Sequence, residues 1–592
     1  MGLPSLADVW DGTVAAARRG AASVHGAMGR APDRRLVHTF PDAPPEVLAT
    51  LSLRVRHVRV RSGEVVVAEG DPADAFYIVI AGEAEVAQRA SDGAVYLCTL
   101  GPGDFFGEVG VLQGTPRTAT VRAVRRLELA ALDRDALLEV VASSELTAHD
   151  LERVVRARSQ RREPRADAVP LPPWSRLARR MLHHPLARAY NRLIAGVLAV
   201  NVVLAVAISA SSRTADAAED TLALIAQANI AVAVLFRQQA VINALGRLAT
   251  QRPTTWPLKV RWALAKYYHH GGLHVGAALA GTAWYAAFVA VLLTNATAPA
   301  AARVAAGLVA VLLLVIVALA APPARARLHD GFEVTHRFCG WAAIVLVWIS
   351  TALLHRELHA FVTSPAVWLL AAATAGVVWP WLRLRRVRIA VERPSAHAAL
   401  VTLLGEPTPD MGTTRGISRH ALVGWHQFAI VPALPGGAGP RMVVSRAGDW
   451  TAAFIEDPPE SLWLRGVPTI ELANVRRLFR QVVFVTTGSG IGPALGHLLD
   501  RTAPSRLVWV TRSARATYGE ALVDEILTAH PDATIWNTDE QGKPDVLRLA
   551  YGAYLASQAE AVICISNRTV TWQLVRGLEQ RGIPAFGPIF DS

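Results

Sequence analysis

The chain has 592 residues, a net charge of +12 and 52% hydrophobic residues. This length is too great for one hydrophobic core and predicts several domains, and the apolar share is unusual for a soluble protein. The positive excess is mostly arginine beside apolar segments, which favours a membrane surface and excludes nucleic acid as the expected partner. The three cysteines lie far apart and form neither a metal-binding spacing nor a disulfide framework.

A pocket for a cyclic phosphate is predicted in the N-terminal region, where residues 106–112 are followed by residues 115–121. A cyclic phosphate carries one negative charge, and its ribose presents a hydroxyl that needs an acceptor. Glu108 can accept from that hydroxyl, Arg117 can pair with the phosphate, and Gly107 lets the backbone approach closely. These residue types in this order therefore predict a receptor for an intracellular signal.

This stretch resembles the phosphate-binding cassette of the cyclic-nucleotide-binding domain family. Glycine turns at residues 62–64, 69–71 and 81–83 separate short apolar runs, which is typical of a small β-roll. The retained Glu108 and Arg117 favour binding over a β-roll that has lost its ligand, and both cAMP and cGMP stay open. The resemblance implies that the ligand contacts Gly107, Glu108, Val109, Arg117, Thr118 and Ala119, with the Thr118 hydroxyl able to meet a guanine amino group.

Six apolar segments follow a basic linker and predict a membrane domain. They lie near residues 193–211, 221–239, 272–294, 303–321, 337–355 and 365–382, each about long enough to cross ~30 Å of hydrocarbon. Arginine and lysine are concentrated in alternate loops, so both termini are expected in the cytoplasm. We therefore expect a multi-pass integral membrane protein whose partners are the lipid bilayer and a cyclic nucleotide, with homo-oligomer formation left open.

The C-terminal region predicts a β domain followed by a doubly wound α/β domain. Residues 482–485 form a buried-strand pattern that leads into the glycine-rich loop 486–493 and a helical segment. Glycines between a strand and a helix N-terminus are typical of diphosphate binding. Further strand patterns at 507–510 and 561–565 alternate with helical patterns, which indicates the doubly wound fold.

Residues 190–592 resemble the ferredoxin-reductase superfamily, and specifically its membrane ferric reductase and NADPH oxidase branch. Residues 425–430 are similar to a flavin-binding His-Pro-Phe-Thr strand, and residues 448–451 match the Gly-Asp-Trp-Thr of that branch. The ending, residues 582–592, looks like the subgroup that is fused to adenylating enzymes in fungi. The resemblance implies FAD and NAD(P)H as cofactors.

The resemblance also implies a role for individual residues. Ala429 replaces the hydroxyl that bonds the flavin ring in the family, and Ile565 would crowd the nicotinamide, so a fold with weakened catalysis is the alternative. The implied contacts are His426, Gln427, Phe428 and Ala429 with FAD, Thr486, Gly488, Ser489, Gly490, Ile491, Gly492 and Pro493 with the NAD(P) pyrophosphate, Arg512 and Ser513 with a 2′-phosphate, Cys564 with the nicotinamide as the catalytic residue, and Phe590 with the flavin ring.

Haem is not expected in the membrane domain. A two-haem arrangement needs two histidines on each of two helices, about four turns apart. The third span offers His270 and His274 at its cytoplasmic end, but Trp284 and Phe288 stand one four-turn step further on. At most one haem could be bridged, by His270 or His274 with His336, so no resident metal is predicted.

The sequence thus predicts a cAMP- or cGMP-regulated membrane redox enzyme, an NAD(P)H-dependent flavin oxidoreductase. The alternative is a non-catalytic membrane sensor or scaffold that binds cyclic nucleotide and carries a degenerate reductase-like domain. The predicted domains are an N-terminal extension (1–35), the β-roll cyclic-nucleotide domain (36–160), a basic linker (161–190), a six-helix transmembrane domain (191–385), a flavin-binding-like β-barrel (386–475) and an NAD(P)-binding-like α/β domain (476–592).

Overall fold

A computed structural model of the chain describes Asp33, Leu36 and residues 39–40, 43–90, 93–124, 126–145, 147–148, 151–152, 154–155, 169, 171–173, 188–210, 215–355, 357–410, 412–500 and 503–588. Its contacts define two compact units. One contains the described residues up to Pro172 with Val510–Ser513 and Ile535–Ala556; the other contains those of Pro173–Trp509, Ala514–Thr534 and Ser557–Ser592. The predicted extension 1–35 lies outside the described residues except for Asp33.

The N-terminal region is a β-roll flanked by helices, as predicted. Its strands form two four-stranded sheets, with the orders β1-β8-β3-β6 and β2-β7-β4-β5. The elements are α1 (Pro45–Ser52), β1 (Arg56–Val60), β2 (Val65–Val67), β3 (Ala75–Ala81), β4 (Ala84–Ala90), β5 (Gly93–Leu100), β6 (Phe105–Phe106), α2 (Glu108–Gln113), β7 (Thr120–Ala123), β8 (Leu127–Asp133) and α3 (Arg134–Ser143).

Alternation along strands β3 and β8 divides the core of the roll into two clusters. Phe76 and Leu132 face the cluster that packs with the helices, whereas Val79 and Leu129 face the cluster between the sheets. This follows from the two-residue period of a strand, which sends neighbouring side chains to opposite faces. At the end of β8, the Asp133 carboxylate accepts a hydrogen bond from the backbone N–H of residue 136 at 2.8 Å and caps α3.

The middle of the chain is helical. Among the described residues, five helical segments are long and apolar enough to cross a membrane: Ala189–Ser209, Ala217–Leu235, Leu258–Thr294, Ala300–Ala320 and Gly331–Leu354. The helices are α4 (Ala189–Ser209), α5 (Ala215–Leu235), α6 (Gln239–Thr250), α7 (Leu258–Leu264), a 3₁₀ turn (Ala265–His270), α8 (Gly271–Thr294), α9 (Ala300–Ala320), α10 (Pro322–Arg327), α11 (His329–Leu354), α12 (Leu358–Thr363) and α13 (Pro365–Val378).

The sixth predicted span differs from the other five. The prediction placed it at 365–382, but α13 has 14 residues and ends at Val378, where turns begin. Fourteen helical residues extend about 21 Å, which is less than the ~30 Å of a hydrocarbon core. The apolar run was about long enough, but its last residues do not continue the helix, so the described residues contain five and not six helices of full spanning length.

Small and polar residues fix the packing of the long helices. A Cβ at Gly272 would lie 2.4 Å from the Tyr190 carbonyl oxygen, so glycine lets α8 approach α4 closely. Asn201 of α4 and Asn229 of α5 exchange amide hydrogen bonds of 3.1 and 2.9 Å. The Trp284 indole N–H also donates to the Asn201 carbonyl oxygen at 2.8 Å. This network satisfies polar groups that would be costly inside an apolar bundle.

A six-stranded antiparallel sheet forms the predicted β domain. The strand order is β12-β11-β14-β9-β10-β13, and a bridge between Val431 and Arg441 connects the segment after β12 with β13. The elements are β9 (Arg385–Glu392), β10 (Ala398–Leu403), β11 (Thr413–Ser418), β12 (His426–Ala429), β13 (Arg441–Ser445), α14 (Asp449–Glu456) and β14 (Ser461–Ile470), and a 3₁₀ segment (Leu472–Leu478) follows.

The C-terminal region is an α/β domain, as predicted, with the sheet order β17-β16-β15-β18-β19. Strand β18 runs parallel to both β15 and β19, so the strand order reverses between β15 and β18. The elements are β15 (Val482–Thr487), α15 (Ile491–Leu499), β16 (Ser505–Thr511), α16 (Ala514–Tyr518), α17 (Glu520–Ala529), β17 (Thr534–Asn537), α18 (Thr538–Gln541), α19 (Val546–Ala556), β18 (Ala561–Ile565), α20 (Arg568–Glu579) and β19 (Ala585–Phe586).

Candidate functional site

The backbone of Arg117 is held by the turn that precedes β3. The Arg117 N–H donates to the Asp71 carbonyl at 2.8 Å, and the Arg117 carbonyl accepts from the Gly70 N–H at 2.8 Å. Gly70 has a φ of +93°, a conformation that glycine adopts without strain. Because both backbone groups of Arg117 are bonded to one turn, its side chain starts from a fixed position inside the roll.

The Arg117 guanidinium is buried and only partly paired. Its Nη2 lies 2.9 Å from Asp74 Oδ1, its Nη1 donates to the Gly107 carbonyl at 3.3 Å, and its Cζ lies 5.7 Å from the Tyr77 ring centroid. Its Nε is buried and has no hydrogen-bond partner among the described residues. The Asp74 side chain is 74% exposed whereas that of Arg117 is 3% exposed. An anion entering the pocket could therefore replace an acid that water readily solvates.

Gly107 precedes Glu108 in the chain and contacts the Arg117 guanidinium through its carbonyl. Its φ is +92°, and a Cβ there would lie 2.6 Å from Arg117 Nη1 and 2.9 Å from the Ala75 carbonyl oxygen. Only glycine fits both restrictions. Glu108, the next residue and the first of α2, is 1% exposed. A buried carboxylate suits the acceptance of a hydrogen bond from a sugar hydroxyl.

The remaining predicted contacts of this pocket differ in exposure. Thr118 is exposed and Ala119 is half-buried, and the Thr118 carbonyl accepts from Gln88 Nε2 at 3.1 Å. The sequence analysis missed Gln88 and Asp74, because each comes from a different strand or turn than the cassette. Val109 packs its side chain into the core beside the helices, so only its backbone could meet a ligand.

Strand β12 carries the residues that were predicted to meet a flavin. The His426 and Trp450 ring centroids are 4.2 Å apart, and those of Phe428 and Trp450 are 6.0 Å apart. Trp450, from the Gly-Asp-Trp-Thr match, therefore packs beside both residues. Gln427 is exposed on the other face of the strand, and Ala429 is buried.

The glycine-rich loop between β15 and α15 packs largely against the protein itself. A Cβ at Gly490 would lie 2.1 Å from the Ile565 carbonyl oxygen, and the Gly488 carbonyl accepts from the Trp509 indole N–H at 3.1 Å. Gly488 has a φ of +47° and open space where a Cβ would stand. Thr486, Ile491 and Gly492 are buried, whereas Ser489 and Pro493 are exposed. The dinucleotide assignment of this loop stays a prediction.

The other predicted residues of this region have different surroundings. Arg512 is exposed and Ser513 half-buried directly after β16, and Phe590 lies outside the described residues. Cys564 is fully buried in β18, with its Sγ 3.9 Å from Thr571 Oγ1. Burial raises the pKa of the Cys564 thiol to about 12. A catalytic role for Cys564 stays a prediction, and the neutral buried thiol is unsuited to thiolate chemistry.

The structure brings together two of the three histidines considered as haem ligands. The His274 and His336 ring centroids are 6.4 Å apart, and His274 Nδ1 lies 2.8 Å from the Ala233 carbonyl oxygen. His270 Nδ1 lies 3.2 Å from the Tyr267 carbonyl oxygen in its own turn. No group of three or more His, Cys, Asp or Glu suited to a metal ion occurs within the described ranges.

A buried polar network in the second unit escaped the sequence analysis. The Arg476 Nε–H donates to His497 Nδ1 at 3.1 Å, Arg476 pairs with Asp500, and His497 Nε2 lies 3.6 Å from Glu471 Oε2. Burial raises the pKa of Glu471 to about 8, while burial and the neighbouring Arg476 hold the pKa of His497 well below its usual value. Glu471 and Arg476 lie more than 20 residues before His497 and Asp500 in the chain. No local sequence pattern therefore predicts the network.

Comparisons with known proteins agree with the pocket of the first unit. A family model described as "Cyclic nucleotide-binding domain" matches residues 57–144. A CRP-like cAMP-activated global transcriptional regulator of Mycobacterium tuberculosis is 32% identical over 163 residues, which are 27% of this chain and 72% of that protein. The chain belongs to the family of cyclic nucleotide-binding proteins. A cAMP-dependent protein kinase regulatory subunit of Yarrowia lipolytica is 47% identical over 76 residues, 13% of this chain and 20% of the subunit.

This cyclic nucleotide-binding protein also has homologues among fungal adenylate-forming reductases. A family model described as "Adenylate-forming reductase 03009, C-terminal domain" matches residues 472–592. Adenylate-forming reductase 03009 of Coprinopsis cinerea is 40% identical over 425 residues, 70% of this chain and 41% of the reductase. The chain thus spans about two fifths of the length of that relative. The resemblance of the C-terminal end to the fungal adenylating subgroup is thereby confirmed.

The predicted function of this cyclic nucleotide-binding protein is wrong. Its homologues are adenylate-forming reductases, so neither the membrane flavin oxidoreductase of ferric reductase and NADPH oxidase type nor the degenerate flavin-reductase sensor stands. The error arose from two short motifs, residues 425–430 and 448–451. In the fold their aromatic residues pack against one another, so internal packing accounts for them without a flavin.

Proposed function

We propose that the chain is a cyclic nucleotide-controlled relative of the adenylate-forming reductases. cAMP or cGMP binds in the pocket of Gly107, Glu108 and Arg117, and its binding regulates the region that matches those reductases. That region serves in this chain the task that the matching region serves in those reductases. One observation carries the proposal: a buried guanidinium whose only acidic partner, among the described residues, is the largely exposed Asp74.

The chemistry of the pocket suits a cyclic nucleotide in three respects. Arg117 offers a charge for the phosphate, Glu108 offers an acceptor for the 2′-hydroxyl, and Gly107 leaves room for the Arg117 guanidinium. Charge-assisted hydrogen bonds of this kind are among the strong ones. Relatives that share this domain are described as cAMP-activated and cAMP-dependent, which supports cAMP. The exposed Thr118 hydroxyl keeps cGMP as the second candidate.

The long helices support a location in a lipid bilayer. Helix α4 has no buried residue, and Val200, Val202, Val203 and Val206 are each more than 60% exposed. A water-facing surface of this kind is rare on a soluble monomer, whereas lipid would solvate it. The arginine-rich loops favour a cytoplasmic position for both termini, where a cyclic nucleotide would reach the pocket.

Calorimetric titration of the purified full-length chain with cAMP and with cGMP tests the binding. Arg117→Ala should weaken binding about hundredfold or more, because it removes the charge partner of the phosphate. Arg122→Ala is the matched control, since Arg122 is an exposed arginine on the neighbouring strand β7. Failure of the unaltered chain to bind either nucleotide, or equal binding by Arg117→Ala, would refute the site.

Hydrogen exchange with and without the nucleotide tests the regulation. Protection that changes within residues 188–588 on nucleotide addition supports control of the region shared with the reductases. A change confined to residues 45–143 would mean that the nucleotide binds without controlling that region. The Arg117→Ala chain should show neither change, which ties the effect to this pocket.

A further inference from the structure

Arginine and tryptophan side chains meet in the second unit, beside strand β12. The Arg465 Cζ of β14 lies 4.6 Å from the Trp381 ring centroid and 5.9 Å from that of Trp425. The two indole centroids are 6.3 Å apart, and the Arg337 Cζ of α11 lies 5.3 Å from the Trp381 centroid. Two cations and two indole rings therefore share one place between a helix and the β domain.

This cluster contains buried donors that have no acceptor. Trp425 is 9% exposed, and its indole N–H has no hydrogen-bond partner within the described part of the chain. The Arg465 Nε–H is buried and likewise without a partner there. More than nine in ten buried polar groups of native proteins are bonded, and an unbonded donor costs free energy. Two such donors on contacting side chains indicate a missing acceptor.

The charges of the cluster indicate the same kind of missing group. Arg337 pairs with Glu333 and donates to the Leu422 carbonyl. Arg465 has no carboxylate within 4.0 Å among the described residues. Burial, and then the neighbouring Arg337, lower the pKa of Arg465 to about 10, against the smaller raising effect of the Glu333 carboxylate, so its guanidinium stays charged at neutral pH. A largely buried cation without a directly paired anion is unfavourable.

Stacking on the indole rings does not remove this deficit. A cation over an aromatic face gains part of its lost solvation, which accounts for the position of Arg465 beside the two rings. It leaves the N–H groups of Arg465 and Trp425 unbonded, because an indole presents a donor and no acceptor in its plane. The cluster therefore lacks both an acceptor oxygen for these donors and a negative charge paired with Arg465.

We propose that this cluster binds the oxyanion of an organic ligand, a carboxylate or a phosphate group. Arg465 supplies the charge and a donor, the Trp425 N–H supplies the second donor, and the indole rings contact the apolar part of the ligand. Arg337 keeps its own carboxylate and adds positive potential. This site is separate from the cyclic nucleotide pocket, and its test does not depend on that pocket.

Calorimetry on the detergent-solubilised full-length chain tests the site with sodium benzoate and with inorganic phosphate. Binding of benzoate in the millimolar range or tighter assigns a carboxylate ligand, and preferential binding of phosphate assigns a phosphate ligand. Trp425→Phe keeps the ring and removes the donor, so it should weaken binding about tenfold. Arg465→Met should abolish binding, whereas Arg446→Met should not, because Arg446 pairs with Glu456 on the surface.

Thermal unfolding distinguishes a binding role of Arg465 from a structural one. A binding role predicts that Arg465→Met raises the Tm of the ligand-free chain, since it removes a buried unpaired charge, and abolishes the Tm shift that the bound anion produces. The proposal is overturned if neither anion binds the unaltered chain, or if Trp425→Phe and Arg465→Met bind as it does. A lower Tm of Arg465→Met in the ligand-free chain would also overturn it.

Discussion

Two buried arginines of this protein are held in opposite ways. Arg117, in the β-roll, is paired with Asp74, whose side chain is 74% exposed. Arg476, in the second unit, is fully buried and bonded to Asp500 and His497, which are themselves largely buried. Separating Arg117 from Asp74 costs little free energy because water can solvate the exposed carboxylate. Separating Arg476 from Asp500 would leave both charges largely buried. The exposure of the partner therefore separates the arginine that we propose to bind a ligand from a structural one.

The glycines of the same two regions differ in a parallel way. Gly107 makes room for the Arg117 guanidinium, which belongs to the candidate pocket. Gly490 makes room for the Ile565 carbonyl, which belongs to the neighbouring strand. Both are glycines next to a helix N-terminus, so their sequence contexts look alike. What each glycine approaches decides whether it serves a ligand or the fold.

The largest expected effect comes from opening the closed arginine pair. Arg476→Ala should lower the free energy of unfolding of the C-terminal region by about 3–5 kcal/mol, because it leaves Asp500 buried without its partner. Native-state hydrogen exchange of the β15 amides measures this loss. Arg477→Ala, at the exposed neighbour, should change it little, and equal losses in both variants would show that the Arg476 network is not special.

The next effect concerns the glycine of the pocket. Gly107→Ala should weaken cyclic nucleotide binding more than tenfold, because the methyl group needs a strained φ and displaces the Arg117 guanidinium. Gly63→Ala is the control, since Gly63 has a φ of +89° but nothing within 4 Å of a Cβ. Calorimetry should find the Gly63 variant near the unaltered affinity. Equal weakening in both variants would point to strain alone.

A pH effect should distinguish the closed network from the open pocket. Burial raises the pKa of Glu471 to about 8, whereas an unfolded chain has it near 4.3. The folded state then holds a proton that the unfolded state releases, so the stability is complete below about pH 4 and falls as pH rises to about 8. In the unaltered chain this fall should lower the Tm by about 3 °C between about pH 6 and 8. Glu471→Gln should remove most of that decrease. The exposed Glu456→Gln should keep it, and an identical slope in the Glu471→Gln chain would contradict the assignment.

The smallest expected effect comes from the exposed partner of the pocket. Asp74→Asn should tighten cyclic nucleotide binding about threefold at low salt, because it removes an anion that competes for Arg117. Titrations at two salt concentrations check this, since the gain should shrink as salt screens the competitor. Weaker binding by the variant would mean that Asp74 positions Arg117 for the ligand and does not compete with it.

The cyclic nucleotide-binding domain was predictable because the residues of its motif are local in the sequence. Gly107, Glu108 and Arg117 lie within eleven residues, and the loop after α2 returns Arg117 to the Gly107 carbonyl. The long helices were predictable for a similar reason, since hydropathy is read along a continuous run. The sixth span was misjudged where the helix ends early, at Val378, because composition alone does not fix where a helix stops.

The C-terminal fold class was predictable from alternating strand and helix patterns, but its function was not. The Gly-Asp-Trp-Thr match and the strand around His426 indicated a flavin, whereas Trp450 packs beside His426 and Phe428 in the fold. Short motifs report which residue types stand together, and the same types serve internal packing equally well. Comparison with the adenylate-forming reductases, one of which aligns with 70% of the chain, corrected the functional prediction.

By itself, the sequence determined the β-roll with its Glu108 and Arg117, the apolar helices and the α/β end of the chain. Only the tertiary structure decided that Asp74 pairs with Arg117, that Arg476, His497 and Glu471 form one buried network, and that Arg465 meets Trp381 and Trp425. Helices and strands depend on residues that are neighbours along the chain, and the periodic pattern of those residues can be read from the sequence. Charge pairing and unbonded donors depend on residues that are remote in sequence, and only packing brings those residues into contact.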